Sequence, residues 1–386
     1  MEESDLDLER QEKAKEYAWV NRRLMVVELA IGGVYAIVWL LVGWSLGLKM
    51  GLIALSTNQW FLVAGYGLVF GGIYFLLTLP LSYYSGFILP HRYEMSNQTL
   101  GGWISDQIKG IALGGLLGGL ILEIIYAVLR AAPNTWWLWA GIILLFFSVI
   151  MANLAPVLLM PVFYNFQPLD EEREDLAQRL VRLAERAGTR VRGVFKFDMS
   201  RRTKAANAAL TGLGNTRRII LGDTLLEEFS DDEIETVLAH ELGHQVHKDI
   251  PIGILVQSLL TLGGLYLASL GLRWGVKTFG FNGVADIAAL PLFGLVMGIY
   301  GLVTMPLSNA YSRWRERRAD EYALEATKNG EAYASALVRL ANQNLAEVDP
   351  PAWVEFMLYS HPALRKRIAM AKEESGLTAD QIDPPR

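Results

Sequence analysis

The chain has 386 residues, of which 52% are hydrophobic and only 19% charged, with 11 Trp and 15 Tyr. Its mean hydropathy is positive, the profile of a membrane protein with an attached polar domain. The net charge of −5 gives no sign of nucleic-acid binding, and the absence of cysteine excludes disulfides and thiol nucleophiles, leaving His, Asp and Glu to hold any metal.

Residues 1–23 are polar, too charged for a cleaved signal peptide, and end in Arg22-Arg23. Leu24 to Gly47 is long and apolar enough to span a bilayer, and further spans are expected at Trp60–Leu81, Gly110–Leu129 and Trp136–Phe163. Trp136, Trp137 and Trp139 mark a membrane interface at the start of the fourth. This division makes residues 24–166 a four-span membrane domain. Residues 167–250 are charged and mixed, the composition of a soluble α+β domain. Within them Glu171 to Ala187 has helical spacing, Val194 to Phe197 alternates like a strand, and 205–210 with 218–221 suggests a hairpin. Two more spans, Pro251–Leu272 and Ile287–Leu307, fill residues 251–308, and 309–386 returns to a soluble, mostly helical composition. Six spans put Lys49, Arg130, Arg273 and Lys277 on one side. Arg22, Arg23, Arg92, Lys109 and the arginines at 313, 315, 317 and 318 fall on the other. The excess of basic loops predicts that both termini and the soluble part are cytoplasmic.

The chemistry is concentrated in His240-Glu241-Leu242-Gly243-His244. Positions four apart share a helix face, so His240 and His244 can hold one Zn²⁺ while Glu241 takes a proton from the attacking water. Ser230 and Glu233 predict a capping box for that helix, and Ile234, Val237 and Leu238 its buried face. An HExxH can arise by chance, but three of the five histidines fall within eight residues.

Two histidines leave zinc short of a ligand. His247 lies seven positions after His240, about 10 Å along a helix, too far for all three histidines to meet one ion, and reads as a polar interfacial residue. Glu316 and Asp320, four apart, are better placed, one to ligate and the other to orient a ligand histidine. A solvated charged helix is the plain alternative. Against it, His244 lies just before the fifth span and Glu316 just after the sixth, within about 10–15 Å of the same membrane surface.

At this point the sequence resembles a family, the integral-membrane type I CAAX prenyl endopeptidases, zinc metalloproteases of the gluzincin type. The resemblance rests on HELGH together with Leu79-Pro80-Leu81-Ser82-Tyr83-Tyr84, His91 through Thr99, Trp103 to Lys109, and Leu159 to Leu169. Asn207-Ala208, Arg218 to Leu226, the Glu316/Asp320 helix and Ser360-His361-Pro362-Ala363-Leu364 complete it, in family order over roughly residues 60–386. It implies a helical membrane barrel enclosing a water-filled chamber, zinc held by His240, His244 and Glu316, and Glu241 as base. It also implies a substrate peptide, prenylated in that family, lying along Asn207 and Ala208. His361 would sit over the zinc to donate to the oxyanion, although Arg365 or Arg367 could fill that role from the adjoining turn. The chain departs from the family at Tyr93 to Ser96, and eukaryotic members carry one more leading span.

Two other readings bear weighing. Quality-control proteases of the HtpX type share HExxH and the later Glu, but typically show two spans before the zinc domain. A transporter or channel would suit Glu123 and Asn153, polar residues inside apolar runs. Stoichiometric zinc separates enzyme from transporter.

Overall fold

The computed structural model describes residues 6–212 and 216–376. Its first part is five helices: α1 (Leu8–Leu41), α2 (Trp44–Leu55), α3 (Gln59–Tyr83), α4 (Leu100–Ala131) and α5 (Trp136–Leu154). The α3 helix runs on through a π-helical turn at Tyr84–Ile88 to Arg92, and α5 through another at Ala155–Leu159 to Phe163. Side chains accept from free N–H groups at the starts of α1, α3 and α4, where Asp7, Asn58 and Thr99 stand. The first apolar run is broken where Gly43 takes φ 80°, so the predicted span at 24–47 ends at Leu41 and α2 begins.

A polar part follows with β1 (Phe166–Pro168), α6 (Glu174–Arg186), β2 (Val194–Phe197), β3 (Ala208–Thr211), β4 (Arg218–Gly222), α7 (Asp223–Glu228) and α8 (Asp231–Val246). The strands form one sheet in the order β1-β2-β4-β3, with β2 parallel to β4 and the other pairs antiparallel. The expected hairpin is β3 and β4, with β3 left at the sheet edge; its tip at 213–215 lies outside the described residues.

After a tight turn, with Lys248 at φ 56°, the chain re-enters an apolar helix, α9 (Asp249–Phe279). The next helix, α10 (Leu290–Thr327), has 38 residues with Pro306 inside it. Then come α11 (Gly330–Gln343), α12 (Ala352–Leu358) and α13 (Leu364–Glu374). The α10 helix is continuous from the sixth span into the segment read as soluble from 309, so Glu316 stands on the span's own extension.

Among the described residues six helices are long and apolar enough to cross a membrane: α1, α3, α4, α5, α9 and α10. Each contacts the next, and α10 returns to α1, closing a ring. The most apolar stretch of α5 contains no buried residue, as expected for a helix with neighbours on two sides and open faces on the others. One end of the ring is filled by Val63, Tyr66, Leu129, Trp136, Leu265 and Ala288. There Lys49, one of the loop charges assigned to the side opposite the basic loops, is buried with its Nζ 2.6 Å from Asp286 Oδ2. At the other end the soluble core packs Leu176, Leu180 and Leu183 of α6, Ile219 and Leu221 of β4, and Ile234, Leu238 and Leu242 of α8 against Ala323 and Leu337.

Candidate metal centre

The α8 helix begins as its sequence requires. Ser230 Oγ accepts from the Glu233 N–H, and the Glu233 carboxylate accepts from the Ser230 N–H, a complete capping box. The helix lies hard against α10. Gly243 is the point of approach, since a Cβ there would stand 2.8 Å from Ala319 Cα. A side chain between the helices would hold them apart; its absence lets the histidines of one face the carboxylates of the other.

His240, His244 and Glu316 meet across that contact, each offering a ligand atom, all within 4.8 Å of one another. Glu316 Oε2 is 3.3 Å from His240 Nε2, and Oε1 is 3.4 Å from His244 Nε2. Bonds of about 2.0–2.1 Å to a tetrahedral zinc place ligand atoms about 3.3–3.4 Å apart, so each histidine has one carboxylate oxygen, a different one, at ligand spacing. The outer nitrogens are engaged: His240 Nδ1 lies 2.8 Å from Asp320 Oδ1, and His244 Nδ1 2.8 Å from Asp249 Oδ2. Carboxylates on both Nδ1 atoms turn both Nε2 atoms toward one point, the usual outer arrangement of zinc-binding histidines. Glu316 is 5% exposed, and its Oε2 has no hydrogen-bond partner. A buried carboxylate oxygen without a donor is costly unless a cation lies beside it.

Asp320 is fully buried and held in turn. Arg367 of α13 donates to it from Nε at 2.9 Å and Nη2 at 2.6 Å, and the Tyr333 hydroxyl of α11 donates as well. Glu241 projects from the same turn of α8, and its burial raises its carboxyl pKa above the ordinary value. That shift suits a group that must accept a proton and give it back.

His361 reaches the group from the segment between α12 and α13, its Nε2 3.4 Å from Glu316 Oε2 and its side chain 59% exposed. The arginines weighed beside it are occupied elsewhere: Arg367 on Asp320, and Arg365 on Asp349 at the surface. His247 packs its ring edge-on to Tyr322 and stays outside the group. Ala208 is buried under α8, Asn207 is exposed, and its carbonyl accepts from Gly222 N–H. The sequence reading missed Asp249, Arg367 as the holder of Asp320, and Tyr333. For Asp249 a signal existed, a carboxylate five residues after His244 at the mouth of a span.

This fold and site define a multi-pass membrane protein with a metallopeptidase centre. Residues 170–375 match the family model described as peptidase family M48, and residues 2–165 match that described as CAAX prenyl protease N-terminal, five membrane helices. The described residues of that range hold α1 to α5, of which α2 with 12 residues is too short to cross. The chain is 32% identical over 372 residues to the uncharacterized metalloprotease YhfN of Bacillus subtilis, covering 95% of this chain and 87% of that one. It is 32% identical over 312 residues to CAAX prenyl protease 1 of Saccharomyces cerevisiae, covering 76% and 68%. The crystal structure of S. mikatae Ste24p superposes with a TM-score of 0.84 at 26% identity, covering 95% of this chain and 89% of that one. The chain belongs to the CAAX prenyl protease family of the M48 peptidases, and it is a metalloendopeptidase.

Proposed function

We propose that this protein is a zinc endopeptidase that cleaves membrane-associated substrates at the cytoplasmic membrane face. The observation that carries the metal is Glu316, buried with an unpartnered oxygen between two histidines whose far nitrogens are both fixed by carboxylates. His240, His244 and Glu316 would hold zinc, which when bound would supply a Lewis acid for the scissile carbonyl. Glu241, beside it, takes a proton from the attacking water and returns it to the leaving amine. His361 donates to the carbonyl oxygen as negative charge builds there. Asp320, fixed by Arg367 and Tyr333, keeps His240 turned inward. An extended substrate adds to the free edge of β3 by main-chain hydrogen bonds at Ala208, whose neighbour Asn207 turns its carbonyl inward to Gly222.

The cytoplasmic placement rests on the basic loops, and it is strengthened by the burial of Lys49 against Asp286, which removes one positive charge from the opposite side. A prenylated C-terminal peptide is the substrate to try first, because named relatives are CAAX prenyl proteases. The test is a pair of variants. Glu241→Gln keeps zinc and loses hydrolysis, whereas Glu316→Ala loses both. Normal zinc content in Glu316→Ala protein would overturn the ligand assignment.

A further inference from the structure

The His361 segment has few means of holding itself in place. The α12 helix has seven residues, and the chain from Tyr359 to Ala363 is irregular. Its C-terminal carbonyls are satisfied from outside, by one face of α10. Asn309 Nδ2 donates to the Met357 carbonyl at 2.7 Å. Arg313 Nη1 lies within hydrogen-bond distance of three carbonyls, those of Glu355 at 2.9 Å, Phe356 at 3.4 Å and Tyr359 at 2.6 Å. A cation among the last carbonyls of a helix also meets the negative end of its dipole.

Positions 309, 313, 316 and 320 recur at helical spacing along one face of α10. The face that anchors the segment therefore also carries Glu316 and Asp320. Beyond the anchor the chain turns back, where Glu355 accepts from the Ala363 N–H at 3.0 Å and from Lys366 Nζ at 2.6 Å. His361 lies inside that turn, with Nε2 against Glu316. A second support comes from the N-terminus. The Tyr359 hydroxyl donates to Glu347 Oε2, which also takes Arg22 of α1 at 2.7 Å.

We propose that Arg313 is a positioning residue for the reaction: by gathering the carbonyls of Glu355, Phe356 and Tyr359 it sets the height of His361 above Glu316. This rests on the reading of His361 as the oxyanion donor. The guanidinium touches no reacting atom and acts only through the turn it holds. Because a misplacement of about 1 Å can cost about 10²-fold in rate, the effect should fall on kcat.

The experiment is a double-mutant cycle on the full-length protein in detergent or nanodiscs, with zinc content measured for every variant. Arg313→Ala is expected to lower kcat at least about 10-fold with KM little changed and zinc at one per chain. Arg313→Lys should recover part of the loss. The double variant with His361→Ala should be no slower than His361→Ala alone, because the anchor has nothing left to place. Full kcat in Arg313→Ala beside a slow His361→Ala overturns the proposal and leaves the role of His361 standing. Full kcat in both overturns the reading of His361 itself. Additive losses, or loss of zinc from Arg313→Ala, would make Arg313 a general structural residue and also overturn it. Should Arg313→Ala not fold, Asn309→Ala removes the neighbouring tie, and an unchanged kcat there counts against the proposal.

Discussion

Replacing Gly243 by alanine should damage the metal site although no ligand is touched. On an isolated helix the change would stabilise by about 1 kcal/mol, because glycine is the poorer helix former. Here the new methyl would stand 2.8 Å from Ala319 Cα, 3.1 Å from Ala319 O and 3.2 Å from Ala319 Cβ. Carbon atoms settle at about 3.5–4.0 Å, so α8 and α10 would have to part by roughly 0.7–1.2 Å at that point. Nothing near the contact can swing aside, since two of the three atoms met are backbone. Overpacking of this kind costs about 1–3 kcal/mol and outweighs the propensity gain. The larger consequence is for the ligands, because His240 and His244 ride on one helix and Glu316 on the other. Metal bonds tolerate about 0.2 Å of error, so the parting opens the site by several times that tolerance. Zinc affinity should fall at least about 10-fold, the range seen when supporting residues of zinc sites are lost. The measurement is competition with a chromogenic chelator, alongside thermal unfolding with and without added zinc. Zinc affinity within twofold of the parent would refute the reasoning, because it would mean the helices separate without carrying their ligands apart.

Three further outcomes are expected. Asp249→Asn should leave the fold intact but weaken zinc binding about 10–100-fold, because His244 Nδ1 loses its carboxylate; chelator competition would read this, and unchanged affinity would remove Asp249 from the site. His361→Ala should lower kcat by about 10²–10³ with zinc retained, and near-normal turnover in a steady-state peptide assay would make it a turn residue. Reporter fusions near Gln98 and after α13 should report the cytoplasmic side and those near Lys49 and Lys277 the other; a mismatch at Lys277 would mean that α9 and α10 do not span.

The long spans and the HExxH helix were legible because each carries a strong local signal: unbroken apolar length in one case, a capping box ahead of the motif in the other. Glu316 was legible for a different reason. Its distance from the end of a span, compared with that of His244, put both at the same depth. The break at Gly43 was hidden because apolar composition continues unchanged into α2, and only a left-handed φ separates the two. Asp249 offered a signal in its position, but its pairing with His244 was hidden: Lys248, in a left-handed conformation, ends one helical register and starts another, so the spacing could not be read on a single helix. Arg367 was weighed as a donor to substrate, since its charge was plain and its partner was not. Only tertiary packing shows that Asp320, on α10, consumes it.

The continuity of α10 sets the lipid bilayer and the metal site on one helix. A helix of 38 residues is about 57 Å long, and its apolar part must match whatever hydrocarbon thickness surrounds it. A mismatch is relieved by tilting, at a modest cost per ångström, and a rigid rod that tilts moves its far end most. Glu316 is at that far end. Pro306, which cannot donate to the carbonyl four residues before it, leaves one hydrogen bond of the helix unmade ten residues short of the ligand, where bending costs least. Bending at that position would let the membrane-embedded length lean while the end packed on α8 keeps its place, separating lipid thickness from the geometry of one carboxylate.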